Sequence, residues 1–145
     1  MTFSQDCIDL VKESEACSLK AYQDSVGIWT IGYGHTGPEV IAGTTWTESQ
    51  ALAQLAADLQ TACEGMQALV TVPLTQGQVD ALTDFTFNLG VGQLRHSTLL
   101  RKLNAGLIAD APKELLRWTL AGGKHLPGLM TRRQREVELW NKETA

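Results

Sequence analysis

Residues 15–36 read EACSLKAYQDSVGIWTIGYGHT, and the reading of this stretch decides the fold. It opens on an acid, Glu15. A second acid, Asp24, follows nine residues on, and a hydroxyl, Thr30, six residues after that. Apolar and polar residues alternate between them, with glycines at 27, 32 and 34. The pattern predicts a helix end that feeds a small, glycine-bent strand system. Strand alternation puts Ile28, Thr30 and Gly32 on one face and Trp29, Ile31 and Tyr33 on the other. Asp24-Ser25-Val26-Gly27 is a turn signal between the strands.

Upstream, residues 3–14 have helical spacing, with Phe3, Cys7, Ile8 and Val11 on one face and Ser4 placed to cap the start. Glu15 then stands at the helix C-terminus. The negative end of the helix dipole disfavours a charged carboxylate there, which suits a proton donor. Two carboxylates and a hydroxyl on one scaffold are what glycoside hydrolysis needs. One acid protonates the leaving oxygen and the other activates water or attacks. Acid pairs this close in sequence are common on solvated surfaces, so spacing alone does not make a site.

Downstream, residues 35–46 read as a loop. Thr47 and Gln50 form a capping box that opens an alanine-rich helix to about Cys63, with Leu52, Leu55, Ala56 and Leu59 inward. At about 1.5 Å per residue it is long enough to bridge two lobes. Thr75 and Gln78 make a second capping box. Val79, Leu82, Phe85, Thr86 and Leu89 continue it as a stripe that stops at Gly90. Further helices are expected over Ser97–Asn104, Pro112–Ala121 and 129–141, the last with Leu129, Arg133, Val137 and Trp140 on one side. The fold class is α+β and mostly helical, with one small β element near the front.

Composition excludes several function classes. At 43% hydrophobic residues the chain is globular, and no apolar run approaches the roughly 20 residues that span a bilayer. The first residues carry acids and no apolar core, unlike a signal peptide. Three cysteines, Cys7, Cys17 and Cys63, are an odd count at irregular spacing and argue against a disulfide framework or zinc. The net charge of −4 is uneven, since ten of the 12 Lys and Arg residues follow position 90. That basic half suits an anionic polymer. The overall acidity and the lack of a stacking or finger motif argue against nucleic acid.

With these residues laid out, the chain resembles the phage-type lysozymes of glycoside hydrolase family 24, the endolysins of tailed phages and prophages. The resemblance rests on Glu15, Tyr22, Asp24, Gly27, Thr30-Ile31-Gly32 and Gly34-His35. It continues through Phe87-Asn88-Leu89-Gly90, Ser97-Thr98-Leu99-Leu100, Trp118 and Pro127-Gly128-Leu129, then Arg132-Arg133 and Glu136. It implies a lysozyme-like two-lobe fold in a single domain over 1–145. The lobes would cover about 12–60 and 61–145 plus the N-terminal helix, with a cleft between them. It implies hydrolysis, with inversion, of the β-1,4 bond between N-acetylmuramic acid and N-acetylglucosamine in peptidoglycan.

The catalytic residues it implies are Glu15 as acid, Asp24 as the opposite carboxylate and Thr30 as the hydroxyl that positions water. Phe87, Asn88 and Ser97 are implied at the substrate. His35 is implied to pair with Asp58, and Arg132 or Arg133 to approach Glu15. No metal or cofactor is implied. A monomer made in the host cytoplasm would reach the periplasmic wall through a hole opened by a separate holin. Ala16 and Ser18 depart from the usual glycine and basic residue, as does the acidic net charge, and none removes a catalytic atom. A lytic transglycosylase and an inactive peptidoglycan-binding protein are the alternatives.

Overall fold

The computed structural model describes residues 1–142. Helix α1 (Gln5–Ser14) leads into a three-stranded antiparallel sheet of β1 (Ser18–Gln23), β2 (Trp29–Gly32) and β3 (His35–Thr36), in that order. Then come α2 (Glu48–Leu69), α3 (Gln76–Leu89), α4 (Val91–Arg95) and α5 (Thr98–Asn104). A single 3-10 turn (Ile108–Asp110) leads to α6 (Ala111–Leu115). A hairpin of β4 (Leu120–Ala121) and β5 (Lys124–His125) and the closing helix α7 (Pro127–Trp140) complete the chain. This is the mostly helical α+β architecture expected, with a small antiparallel sheet.

Both capping boxes form: Thr47 and Gln50 satisfy each other's backbone N–H groups at the start of α2, and Thr75 and Gln78 do so at α3. Ser4 behaves differently. Its hydroxyl makes no cap to α1, and its backbone N–H and Oγ both donate to the buried Asp80, at 2.7 and 2.5 Å. The helix start is therefore pinned sideways to α3.

Helix α2 runs 22 residues, past the expected end at Cys63, because Cys63 and Met66 continue its buried stripe. That stripe is Ala51, Leu55, Leu59, Cys63 and Met66, while Leu52 and Ala56 face solvent, contrary to expectation. The stripe bridges two clusters. Leu55 and Leu59 pack with Cys7, Val11 and Tyr33, whereas Cys63 and Met66 pack with Leu82, Phe85, Leu99, Leu103 and Trp140. A third, small cluster of Ala21, Ile31 and Val40 lies under the sheet.

Two other expectations fail for local reasons. Residues 35–46 are not all loop: His35 and Thr36 pair with Ile31 and Thr30 as β3. The segment beyond folds back onto β1, where Ala21 N–H donates to Thr44 O and Trp46 N–H to Leu19 O. The helix expected over Pro112–Ala121 stops at Leu115. Gly122 and Gly123, read as a helix stop, are the two-residue turn of a hairpin, with φ of 58° and 78°. Two consecutive positive φ values are what a tight hairpin turn requires.

Candidate active site

Each of the three residues of the opening motif is held by a different element. Glu15 is the C-cap of α1, its backbone N–H donating to Val11 O. Asp24 sits in the turn between β1 and β2. Its Oδ1 accepts from the N–H groups of Val26 and Ile28, both at 2.9 Å, and its own N–H donates to Ile28 O. One carboxylate oxygen is thus fixed by backbone. Thr30 lies on β2, opposite Tyr22 of β1, and is 5% exposed. Its hydroxyl donates to Ile28 O at 3.0 Å, which leaves the oxygen as an acceptor.

Glu15 is reached from the far end of the chain. Arg132 Nη1 donates to Glu15 Oε1 at 2.7 Å. The same guanidinium grips Asp84 with two bonds, Nε to Oδ2 at 3.0 Å and Nη2 to Oδ1 at 2.8 Å. Burial works against the charge on Arg132, but the bonds to Asp84 and Glu15 outweigh it and hold the arginine firmly charged. The sequence left Arg132 and Arg133 undecided, and geometry separates them. Arg133 turns away and donates from Nη2 to Glu136 Oε2 at 2.9 Å and to Asn88 Oδ1 at 2.6 Å, with its guanidinium over the Phe85 ring. Gly34 closes over the other carboxylate oxygen. It has φ of 81°, and a Cβ there would touch Glu15 Oε2 at 3.4 Å. That close approach and the positive φ together ask for glycine.

Behind Glu15 lies a buried charge cluster. Asp84, Arg133 and Glu136 have no exposed surface, and Arg132 almost none. Burial and the neighbouring Asp84 carboxylate push Glu136 well above the usual carboxylate range. Asp84 moves the other way. Burial opposes its charge, but hydrogen bonds from Glu136 and Arg132 overcome that and keep it below its usual value. Glu136 is therefore the partner that holds the proton, and it donates a hydrogen bond to Asp84. Arg133 Nε stands 2.9 Å from Glu136 Oε1, yet neither atom has a partner in hydrogen-bond geometry. This contact is weaker than its length implies. Burial also lowers the Arg133 guanidinium.

On β3, His35 Nδ1 lies 2.7 Å from Asp58 Oδ2 on α2, and Nε2 lies 2.6 Å from Glu39 Oε1. Burial works against charging the ring, but the two carboxylates prevail and raise it above its usual value. The bond from His35 in turn lowers Glu39. Both ring nitrogens are occupied, which leaves neither free to act as a base.

The three residues placed at the substrate by resemblance part company. Phe87 is half-buried among Cys7, Val11 and Leu59, with Arg132 6.0 Å above its ring. Asn88 gives its carbonyl to Arg133. Ser97 is 5% exposed, and its hydroxyl caps α5, accepting from Leu100 N–H and donating to Leu94 O. Its donor is therefore committed within the fold, and little of it faces solvent. Sequence reasoning missed Asp84 and Glu39. The signal for Asp84 was an acid inside the apolar run of α3, where a buried charge demands a partner. Glu39 stands four residues after His35 in a loop, where spacing carries no such signal.

The family model described as phage lysozyme matches residues 12–136. The chain belongs to the phage lysozyme family. It is 44% identical over 131 residues to a SAR-endolysin of Bacteriophage PS119, covering 89% of this chain and 78% of that one. Among solved structures, the muramidase domain of SpmX from Asticaccaulis excentricus superposes with a TM-score of 0.90 at 35% identity, covering 98% of this chain and 99% of that one. An endolysin from Escherichia coli O157:H7 phage FAHEc1 superposes with a TM-score of 0.87 at 32% identity, covering 97% and 94%.

Proposed function

We propose that this phage lysozyme is an endolysin-type muramidase. It hydrolyses the β-1,4 bond between N-acetylmuramic acid and N-acetylglucosamine in peptidoglycan, with inversion. The observation that supports the reading is Glu15 braced at the end of α1 by a buried arginine, while Asp24 and Thr30 on the hairpin that follows each keep an acceptor oxygen uncommitted. Glu15 gives its proton to the glycosidic oxygen as the bond breaks. Asp24 offers its second carboxylate oxygen as an acceptor, and Thr30 Oγ1, its hydrogen already committed to Ile28 O, is an acceptor too. A water that donates one hydrogen to each keeps a lone pair for the anomeric carbon. Attack from the face opposite the leaving group, with Asp24 taking the proton the water loses, inverts the centre, a geometry that asks for carboxyls about 6.5–9.5 Å apart. Glu15→Gln tests the role of the acid. Clearing of permeabilised cells should fall by at least about a hundredfold while thermal unfolding stays cooperative, since proton donors of this kind contribute about 10²–10⁴-fold.

A lytic transglycosylase would cut the same bond with the substrate's own hydroxyl and has no use for two acceptors aimed at water. Asp24 and Thr30 therefore favour hydrolysis. No helix among the described residues is long and apolar enough to cross a membrane. We propose that the enzyme acts as a monomer and reaches the wall through a lesion made by a separate holin. Lysis of cells expressing it with and without a holin checks the delivery.

A further inference from the structure

Asp84 is buried, charged and out of reach of any sugar, so the hydrolytic chemistry does not use it directly. It nevertheless holds two of the three N–H groups that Arg132 commits, and Glu15 holds the third. A guanidinium bonded to Glu15 alone would keep that carboxyl ionised, and an ionised carboxyl cannot protonate a leaving oxygen. We propose that Asp84 is a positioning residue for Glu15. It acts through Arg132, fixing the guanidinium and offsetting its charge so that Glu15 can hold the proton it donates. The inference rests on the reading of Glu15 as the acid.

The surroundings of Asp84 support the assignment. From α7 it faces Arg132, Arg133 and Glu136, and Glu136 stays protonated as a hydrogen-bond donor to it. From α1 it faces Cys7, which burial keeps as a neutral thiol. The cluster thus places one anion, Asp84, against Arg132, with its second acid neutral. Arg133 makes its hydrogen bonds to Asn88 and Glu136, and the direct bonds to Asp84 come from Arg132. Replacing Asp84 by asparagine keeps the shape of the side chain and removes the offsetting charge. Arg132 would then act on Glu15 with its charge unopposed.

The experiment is the activity–pH profile of Asp84→Asn beside wild type, with Glu15→Gln as control. The alkaline limb of Asp84→Asn should move to lower pH by about one unit or more, the range an uncompensated opposite charge produces. Activity at neutral pH should fall about tenfold or more with it. A limb that stays in place, with only stability lost, would make Asp84 a structural residue and overturn the proposal. If Glu15→Gln remained active, the reading of the acid would fall first, so the two failures are distinct. Should Asp84→Asn fail to fold, carboxyl carbon NMR of the wild-type protein decides instead. A Glu136 still protonated at neutral pH beside an ionised Asp84 supports the arrangement, and an ionised Glu136 overturns it.

Discussion

His35 shows how one side chain turns pH into stability. The imidazole joins β3 to α2 through Asp58 and holds Glu39 on its other nitrogen. Its proton is bound more tightly in the folded chain than in the unfolded one. Linkage fixes the sign: the contribution is complete below the ordinary histidine value of about 6.5 and fades as pH rises through the folded value. In His35→Asn the deficit in melting temperature should be largest near pH 5–6 and should shrink steadily above about pH 6.5. A deficit constant across that range would mean that the ring acts through packing against Trp46 alone, 5.6 Å away. Glu15, Asp24 and Thr30 stand out as candidates in the sequence because they fall in one short, patterned stretch. The choice between Arg132 and Arg133, and the role of Asp84, were not legible there, because Arg132 lies 117 residues from Glu15 and Asp84 lies 48 residues from Arg132. Ser97 shows what a sequence does not reveal. A serine before a helix looks polar and available, yet its hydroxyl is consumed by the cap.

Helices with strong end signals were read well, and short elements were not. Two capping boxes located the starts of α2 and α3, and reciprocal bonds at both confirm why. The strands β3, β4 and β5 hold two residues each, too few for alternation to show. The junction of α3 with α7 gives a sharper test of packing. Gly77 lies against the backbone of α7, where an added Cβ would come 2.1 Å from Leu139 O. Neither helix backbone can yield that distance without moving. Gly77→Ala should therefore cost about 1–3 kcal/mol or more, although alanine is the better helix former. Urea unfolding should show a lowered midpoint with an unchanged slope. A midpoint equal to or above that of the wild type would mean that the two helices are less tightly seated than their contact implies.

For the molecule as a whole, α2 is the organising beam. Its stripe supplies the core beside the β1–β2 sheet with Leu55 and Leu59, and the larger core with Cys63 and Met66. The charge split read from the sequence is thinner in three dimensions. Arg132 and Arg133 are buried, while Lys102 and Arg117 both bond Glu114, so much of the basic half is matched internally. Attraction to an anionic wall is correspondingly modest, and the central claim rests on the chemistry at Glu15, Asp24 and Thr30. Digestion of purified peptidoglycan in heavy-oxygen water, followed by mass spectrometry of the fragments, tests that claim most directly. The account predicts free reducing ends on N-acetylmuramic acid, each carrying one heavy oxygen from the attacking water. Fragments ending in an anhydro ring with no heavy oxygen would contradict it.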